Sequence, residues 1–173
     1  MTRNDFSCLL IFVLTACSAL GQAKQKKLLT PADYHLWSTL EVSEISGKGN
    51  WVSYRLRYAS ENDTLFVKRS DGKKTYSYPQ GRQGKFCGEN WFATTQGSGA
   101  LMLTNLASGK QTTFEAVSDY EFSANEKFLF VLMNSKDGFH QIIIRDLTTG
   151  QDSYVDEVRI WRFDKTKNRL VYY

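Results

Sequence analysis

The segment from Phe122 to Gln151 reads FSANEKFLFVLMNSKDGFHQIIIRDLTTGQ. It contains two runs of strand-forming residues, FLFVLM and QIIIRDL, separated by a polar segment. The turn pair Asp137-Gly138 suits a tight hairpin, because glycine readily takes the positive φ that such turns require. A second glycine turn at Gly150 closes the unit. The segment therefore predicts antiparallel strands joined by short turns.

Three other segments share this pattern of an apolar residue, a short polar turn and an apolar strand. The four segments are ISGKGNWVSY from Ile45, FCGENWFAT from Phe86, FSANEKFLFV from Phe122 and FDKTKNRLVYY from Phe163. Their anchoring residues are separated by 40, 37 and 42 positions, and they are Trp51, Trp91, Phe128 and Leu170. A second marker, the turn glycines Gly72, Gly109 and Gly150, recurs at intervals of 37 and 41. Two markers thus give one period.

A period near 40 that is built from strands and turns is typical of a β-propeller. Within a unit the pattern alternates with period two: Leu65 and Val67 share one face, and Phe66 and Lys68 share the other. The run Gln141–Leu147 is apolar on both faces at its centre, which predicts a strand buried between neighbouring blades. One sheet cannot bury both faces alone, so blades must stack around a ring.

The fold class predicted is therefore all-β, a partial β-propeller of about three and a fraction four-stranded blades with one short N-terminal helix. The predicted blades span residues 45–82, 86–118 and 122–158, and a fourth begins near Val158. Closed propellers typically have about 4–8 blades. We therefore expect an incomplete propeller over 45–173 with an exposed apolar edge. Either the ring continues in a longer parent chain or another chain completes it.

Residues 1–23 predict an export signal. Arg3 gives a basic start, an apolar run follows from Phe6 to Leu20, and small residues precede a cleavage site after Ala23. The run is short for a membrane span, which needs about 20 residues. The alternative is a lipobox, Leu14-Thr15-Ala16-Cys17, which would place a lipid anchor on Cys17 at the cell envelope. Either reading predicts an exported protein, periplasmic or extracellular.

Residues 24–44 predict a tail and a short capping helix. In TPADYHLWSTL, Thr30 is the expected N-cap, Pro31 the first helical residue and Asp33 an acid in the first turn. At helical spacing, Tyr34, Trp37 and Leu40 share one face, and we expect this face to pack on the first blade.

Composition argues against several functions. The 173 residues carry 22 basic and 18 acidic side chains of interspersed sign, whereas nucleic-acid binders concentrate their basic residues. Beyond the signal, Cys87 is the one cysteine, so we expect a small buried apolar residue and neither a disulfide nor a metal cluster. His35 and His140 lack a local catalytic motif. We predict no catalytic, cofactor-binding or metal-binding residue in this chain and no cofactor, and we expect Tyr76, Tyr78 and Tyr154 to be packing residues.

Three segments resemble the N-terminal region of exported bacterial prolyl oligopeptidase family serine peptidases, especially those of the Bacteroidetes type. They are the helix segment LTPADYHLW, the turn and strand ISGKGNWVSY, and the strand NDTLFV. The resemblance extends over Lys26 to Tyr173, and the later blade units fit many propellers.

The resemblance implies an N-terminal propeller that restricts access of peptides to a C-terminal α/β-hydrolase domain, whose serine lies in a G-x-S-x-G motif. This sequence contains no G-x-S-x-G; Gly97-Ser98-Gly99 lacks the spacing and predicts a hairpin turn. No catalytic residue can be transferred to this chain, which is expected to be inactive alone. Family members that trim N-terminal residues hold the substrate amine with propeller glutamates, but no such motif matches among Glu41, Glu44, Glu61, Glu89, Glu115, Glu121, Glu126 and Glu157.

Two alternatives remain open at this point. One is a non-catalytic exported propeller that serves as a protein-binding scaffold. The other is a short protein whose open propeller closes by oligomerisation.

Overall fold

The computed structural model describes residues 26–134, 137–167 and 169–173. They belong to two compact units that divide between Tyr34 and His35. The predicted signal over 1–23, with the cleavage site after Ala23 and the lipidation site at Cys17, lies outside the described residues. Within the described ranges, no helix has the length and apolar character needed to cross a bilayer.

The described part of the first unit leads into a 3₁₀-helix at Pro31–Leu36, which begins at the predicted residue. The carboxylate of Asp33 accepts hydrogen bonds from the backbone N–H and the hydroxyl of Thr30, both at 2.9 Å. Lys27 also donates to this carboxylate at 2.5 Å. Asp33 is buried, so these bonds offset the cost of removing a charge from water.

The predicted apolar helix face is wrong. The helix ends at Leu36, and strand pairing takes over at Ser38, which pairs with Tyr58. Leu40 therefore lies in a strand, and its side chain is 58% exposed instead of packed on a blade. Strand pairing has overridden a helical pattern that extended over only two turns.

Fourteen strands follow in the described residues, and all of their pairings are antiparallel. In chain order, β1 to β14 are Ser38–Ile45, Trp51–Tyr58, Thr64–Arg69, Thr75–Pro79, Gly81–Cys87, Trp91–Gln96, Leu101–Asn105, Gln111–Phe114, Val117–Phe122, Phe128–Met133, His140–Asp146, Asp152–Val158, Trp161–Phe163 and Leu170–Tyr172. They form three four-stranded sheets with neighbouring strands in sequence order and one two-stranded sheet. We call them blade 1 (β1–β4), blade 2 (β5–β8), blade 3 (β9–β12) and sheet 4 (β13 and β14). The chain is a partial β-propeller.

The structure corrects the predicted blade boundaries. Blade 1 begins at Ser38 and not at residue 45, so part of the predicted 24–44 segment belongs to the propeller. Blades 2 and 3 begin at Gly81 and Val117 instead of residues 86 and 122. The repeated motif covers the end of the first strand of each blade and the start of the second. A frame set on that motif therefore begins most of a strand too late.

Apolar side chains fill the spaces between successive blades. Trp51, Leu65, Val67 and Tyr78 of blade 1 form one cluster with Phe92 and Leu106 of blade 2. A second cluster joins blades 2 and 3, and a third joins blade 3 to sheet 4. In β11, Ile143 belongs to the second cluster and Ile142 to the third. The prediction of a strand buried on both faces is confirmed.

One hydrogen bond repeats in every blade. The residue that follows the third strand donates its N–H to the carbonyl of the residue before the second strand: Ser70 to Asn50, Leu106 to Asn90 and Leu147 to Lys127, at 2.7–2.9 Å. In blades 2 and 3 this bond places a leucine between blades, where it is almost fully buried. The bond recurs because each blade repeats the same hairpin between its second and third strands.

The fourth repeat anchor is Arg169 and not Leu170. Ser46 donates its N–H to the carbonyl of Trp51, and Ser123 does the same to Phe128; in sheet 4 the equivalent bond runs from Asp164 to Arg169. Leu170 instead pairs with Phe163, as Leu129 pairs with Phe122. The side chain of Leu170 therefore points to the same side of its sheet as the side chain of Leu129 does in blade 3. Because side chains alternate along a strand, this is the side opposite to the one that an anchor residue would occupy.

The crossings between blades share a backbone conformation. Gln80, Ala116 and Glu157 have φ values of 55°, 55° and 58°, in the left-handed region that non-glycine residues seldom adopt. Each stands directly before a buried residue, which is Gly81, Val117 or Val158. At Gly81, an added Cβ would lie 2.9 Å from the Leu65 Cβ and from the Tyr78 carbonyl oxygen, so the close approach of the chain to blade 1 requires glycine here.

Apolar surface is exposed at both ends of the described ring. On one face of β1, Leu40, Val42 and Ile45 are 58–64% exposed. On sheet 4, Val171 and Tyr173 are 66% and 72% exposed. This distribution agrees with the expected exposed apolar edge.

The interior between blades 2 and 3 can be tested with Leu129→Ala. Leu129 is fully buried, so the substitution leaves a cavity and should lower the free energy of unfolding by about 2–5 kcal/mol. Urea denaturation of the full chain, followed by tryptophan fluorescence, measures the change. The matched control, Leu40→Ala on exposed β1, should stay within about 0.5 kcal/mol of the parent. Equal effects of the two substitutions would contradict the packing described here.

Candidate functional site

The first strands of successive sheets adjoin and form what we call the inner wall (β1, β5, β9 and β13). The Glu44 carboxylate in β1 accepts a hydrogen bond from the Phe86 N–H in β5 at 2.9 Å. Lys85 in β5 forms an ion pair with Glu121 in β9 at 2.8 Å. In a propeller, these strands line the central channel.

Charged residues occupy one repeated position of the inner wall, and their signs alternate. The cross-strand partners show that all four have the same facing: Glu44 pairs with Ser53, Lys85 with Ala93, Glu121 with Phe130 and Arg162 with Val171. We call these four residues the charge series. Opposite signs on adjacent strands attract, as the Lys85–Glu121 pair shows.

Sequence reasoning missed the charge series because it treated the glutamates as scattered. The structure brings Glu44 and Glu121 to equivalent positions, while Glu89 lies in a turn and accepts hydrogen bonds from Ser46 and Lys48. A signal was available in the repeat itself. The triplets EIS, KFC, EFS and RFD end the four inner strands, each with a charge before the apolar residue.

Glu121 is the centre of the best-connected ionic group of the inner wall. It receives Lys85 at 2.8 Å and Lys167, from the turn of sheet 4, at 3.1 Å. Partial burial acts to raise the pKa of Glu121, but the hydrogen bonds and charges of the two lysines outweigh it and lower the pKa overall. The ammonium of Lys85 also lies 5.3 Å from the centre of the Tyr120 ring, within cation–π distance.

A polar cleft of about 770 Å³ opens beside the inner wall between blades 1 and 2. Its lining residues come from five strands, and they are Glu41, Val42, Ser43, Arg55, Leu65, Arg82, Gln83 and Thr95. Both inner strands at the cleft are bulged, between Val42 and Glu44 in β1 and between Gly81 and Gly84 in β5. Bulges redirect side chains and occur often beside binding sites.

Cys87 is a packing residue, as predicted. It is 4% exposed and belongs to the cluster between blades 2 and 3. Burial, with a smaller effect from nearby Glu126, raises the pKa of the thiol to about 12. A thiol that stays protonated at neutral pH is a poor nucleophile.

The two histidines lie in different elements, His35 in the 3₁₀-helix and His140 in β11. His140 Nδ1 lies 2.8 Å from the carbonyl oxygen of Met133, so Nδ1 carries the proton and donates it within blade 3. His35 lies in the 3₁₀-helix and is exposed. Gly97-Ser98-Gly99 forms the predicted hairpin turn, since Gln96 donates its N–H to the carbonyl of Ala100. Among the described residues, no group of three or more His, Cys, Asp or Glu is arranged to hold a metal ion.

The predicted packing tyrosines divide into two groups. Tyr78 is fully buried and donates its hydroxyl hydrogen to Thr104 Oγ1 at 2.9 Å, and burial raises its pKa to about 12. Tyr76 packs near Trp51, with 5.9 Å between ring centres, and donates to the Leu106 carbonyl at 2.9 Å. Tyr154, on the outer strand of blade 3, is 58% exposed instead of packed.

No protein-family model and no curated protein matches the chain. Several solved structures, in contrast, are similar to it. The tricorn protease is 16% identical with a TM-score of 0.54, over 76% of this chain and 14% of the protease. The β-propeller domain of the Trilobed protease from Pyrococcus furiosus is 10% identical with a TM-score of 0.56, over 79% of this chain and 49% of that one.

The uncomplexed acylaminoacyl peptidase from Pyrococcus horikoshii is 11% identical with a TM-score of 0.52, over 80% of this chain and 28% of the peptidase. The chain therefore spans less than half of the length of each of these three proteins. At such low identity, the similarity shows the propeller fold alone.

Glu121→Gln tests the ionic group of the inner wall. Because the folded-state pKa lies below the unfolded value near 4.3, the carboxylate contributes its full stabilisation above that value. The contribution disappears as the pH falls through the folded pKa. Two partly exposed ion pairs predict a loss of about 1 kcal/mol at pH 7 in the variant.

Urea denaturation of the full chain at several pH values between 7 and 3 measures the difference, which should shrink towards zero at the acid end. Glu115→Gln is the control, since Glu115 is exposed and forms no ion pair among the described residues. A difference that stays constant with pH would show that the carboxylate charge is not responsible.

Proposed function

We propose that this chain is the N-terminal propeller segment of an exported serine peptidase similar to the prolyl oligopeptidase family. In this proposal, the propeller restricts access of peptides to an α/β-hydrolase domain encoded beyond residue 173. The observation that carries the proposal is the combination of propeller blades with the N-terminal segments LTPADYHLW, ISGKGNWVSY and NDTLFV. The structural similarity to the β-propeller domain of the Trilobed protease, and to the tricorn protease and the acylaminoacyl peptidase, supports the fold that the proposal requires.

The chain itself contributes binding and exclusion in this proposal, and no bond-making step. No G-x-S-x-G is present in the sequence, so the nucleophile must come from elsewhere. A channel lined by the inner wall admits an extended peptide more easily than a folded protein, because a folded domain is much wider than a single strand. The Lys85–Glu121 ion pair and the hydrogen bond from the Phe86 N–H to Glu44, both between neighbouring inner strands, would keep the wall in place while a peptide passes.

The decisive experiment extends the chain. The coding sequence beyond Tyr173 is read, and the whole reading frame is expressed beside the 173-residue chain. We expect further blades, then G-x-S-x-G followed by Asp and His, and hydrolysis of aminoacyl and Xaa-Pro p-nitroanilides by the long product only. The control is the long product with the G-x-S-x-G serine changed to alanine, which should be inactive.

Two outcomes would overturn this assignment. A frame that continues through blades to a stop, with no nucleophile motif, would favour the binding scaffold. A stop directly after Tyr173, together with a stable oligomer in size-exclusion chromatography, would favour closure of the ring between chains.

Export has its own test. The N-terminal residue of the mature protein, after expression of the full chain in a bacterial host, is identified by mass spectrometry. We expect Lys24, from cleavage after Ala23. A mature protein that begins at a lipid-modified Cys17 would instead establish the envelope anchor, and an uncleaved Met1 would contradict export.

A further inference from the structure

The cleft between blades 1 and 2 carries unused positive charge. Arg55 donates from Nη2 to Asp63 at 2.6 Å, but its buried Nε has no acceptor among the described residues. Arg82 is exposed at the rim and forms no ion pair with any described residue. Such donors favour a ligand that brings oxygen acceptors, because a buried N–H without a partner is costly.

The carboxylates near the cleft are already engaged. Glu41 forms an ion pair with Arg57 at 3.1 Å, and this contact raises the pKa of Arg57. Asp63 is held by Arg55 at 2.6 Å and lies 3.8 Å from Arg57 Nε. The Glu44 carboxylate, beside the β1 bulge, is engaged by the Phe86 N–H. Among the residues that line the cleft, the guanidinium groups of Arg55 and Arg82 outnumber the carboxylate of Glu41, so the lining has a net charge of +1 at neutral pH. The cleft therefore favours a monoanion over a neutral or cationic ligand.

The shape of the cleft fits the end of a chain better than an isolated ion. Its volume of about 770 Å³ lies within the range of small-ligand sites, about 300–1,000 Å³. Ser43, Gln83 and Thr95 contribute hydroxyl and amide groups to the lining. A guanidinium matches a carboxylate through two parallel N–H···O bonds, and neutral hydrogen-bonding groups suit the peptide unit that precedes it.

We propose that this cleft binds the terminal carboxylate of a peptide, with Arg82 as the main charged contact and Arg55 as the second. The bulge of β5 places Arg82 and Gln83 outside the regular pairing of that strand, and the bulge of β1 does the same for Ser43. The proposal deepens the peptidase function proposed above and rests on it for the choice of a peptide as the ligand. It assigns to this chain a subsite that holds peptides by the C-terminal end.

The test uses the full 173-residue chain and three probes: the tripeptide Ala-Ala-Ala as the free acid, the same tripeptide as the C-terminal amide, and inorganic phosphate. Isothermal titration calorimetry at pH 7 and low salt measures each affinity. We expect the acid to bind at least tenfold more tightly than the amide and than phosphate. Higher salt should weaken binding of the acid, since the contact is partly electrostatic.

Arg82→Gln should weaken binding of the acid at least tenfold and leave the weak binding of the amide unchanged. Arg82→Lys keeps the charge but loses the two-pronged contact, so an intermediate loss is expected. Arg162→Gln is the matched control, because Arg162 lies on the inner strand of sheet 4 and outside the cleft. Circular dichroism of each variant verifies the fold.

Any one of four results would overturn the carboxylate site. They are equal affinity for the acid and the amide, no binding of the acid at millimolar concentration, phosphate binding as tight as that of the acid, and unchanged binding of the acid in Arg82→Gln. The experiments distinguish a failure of this site from a failure of the peptidase function. If a hydrolase domain is encoded downstream but the chain binds the free acid no better than the amide, only the carboxylate site is wrong. If the chain prefers the free acid but no nucleophile motif follows downstream, the site stands and the peptidase function is wrong.

Discussion

Each blade of this protein is a sheet with apolar side chains on both faces, and a single sheet cannot shield two faces from water. Ile142 and Ile143 make the point in adjacent residues of β11, since one packs towards sheet 4 and the other towards blade 2. Burial of such side chains contributes about 1.5–3 kcal/mol each when a neighbouring layer covers them. The stacking of blades is therefore the condition on which the turns, crossings and inner wall depend.

The positive-φ residues at the crossings and the repeated hydrogen bond of each blade both hold consecutive sheets face to face. A residue with positive φ turns the chain at each crossing, and the buried residue that follows starts the next inner strand at Gly81 and Val117 and ends β12 at Val158. The hydrogen bonds from Leu106 to Asn90 and from Leu147 to Lys127 then fix the leucine between blades. The cost of a left-handed conformation at Ala116, of order 1 kcal/mol, is small beside the apolar surface that correct stacking buries.

The sequence predicts the architecture well because its period is a direct result of that stacking. Every blade has to place large side chains at equivalent depths, so Trp51, Trp91 and Phe128 recur at nearly constant intervals. The boundaries of the blades are harder to predict from the sequence, because the repeated motif marks a turn and not the start of a strand. For this reason the sequence pattern places most of β1 in the helix and tail that precede the propeller. The fourth anchor was misplaced because an arginine, Arg169, stands where the other repeats have an aromatic residue, although the turn from Asp164 to Arg169 has the same length as the turn from Ser123 to Phe128.

The cleft was beyond sequence reasoning, since it depends on where two bulges meet. Near the axis of the propeller, inner strands approach one another closely and opposite charges on adjacent strands can pair, as Lys85 and Glu121 do. Between β1 and β5 that pairing is interrupted: Glu44 takes a backbone N–H from β5 instead of a lysine. The bulges displace the chain at the same place and leave Arg82 without a carboxylate among the described residues. Within the described residues, the inner wall thus has a charge-paired stretch at Lys85 and Glu121 and, at the β5 bulge, an arginine outside any ion pair, whose position follows from strand geometry instead of from any motif.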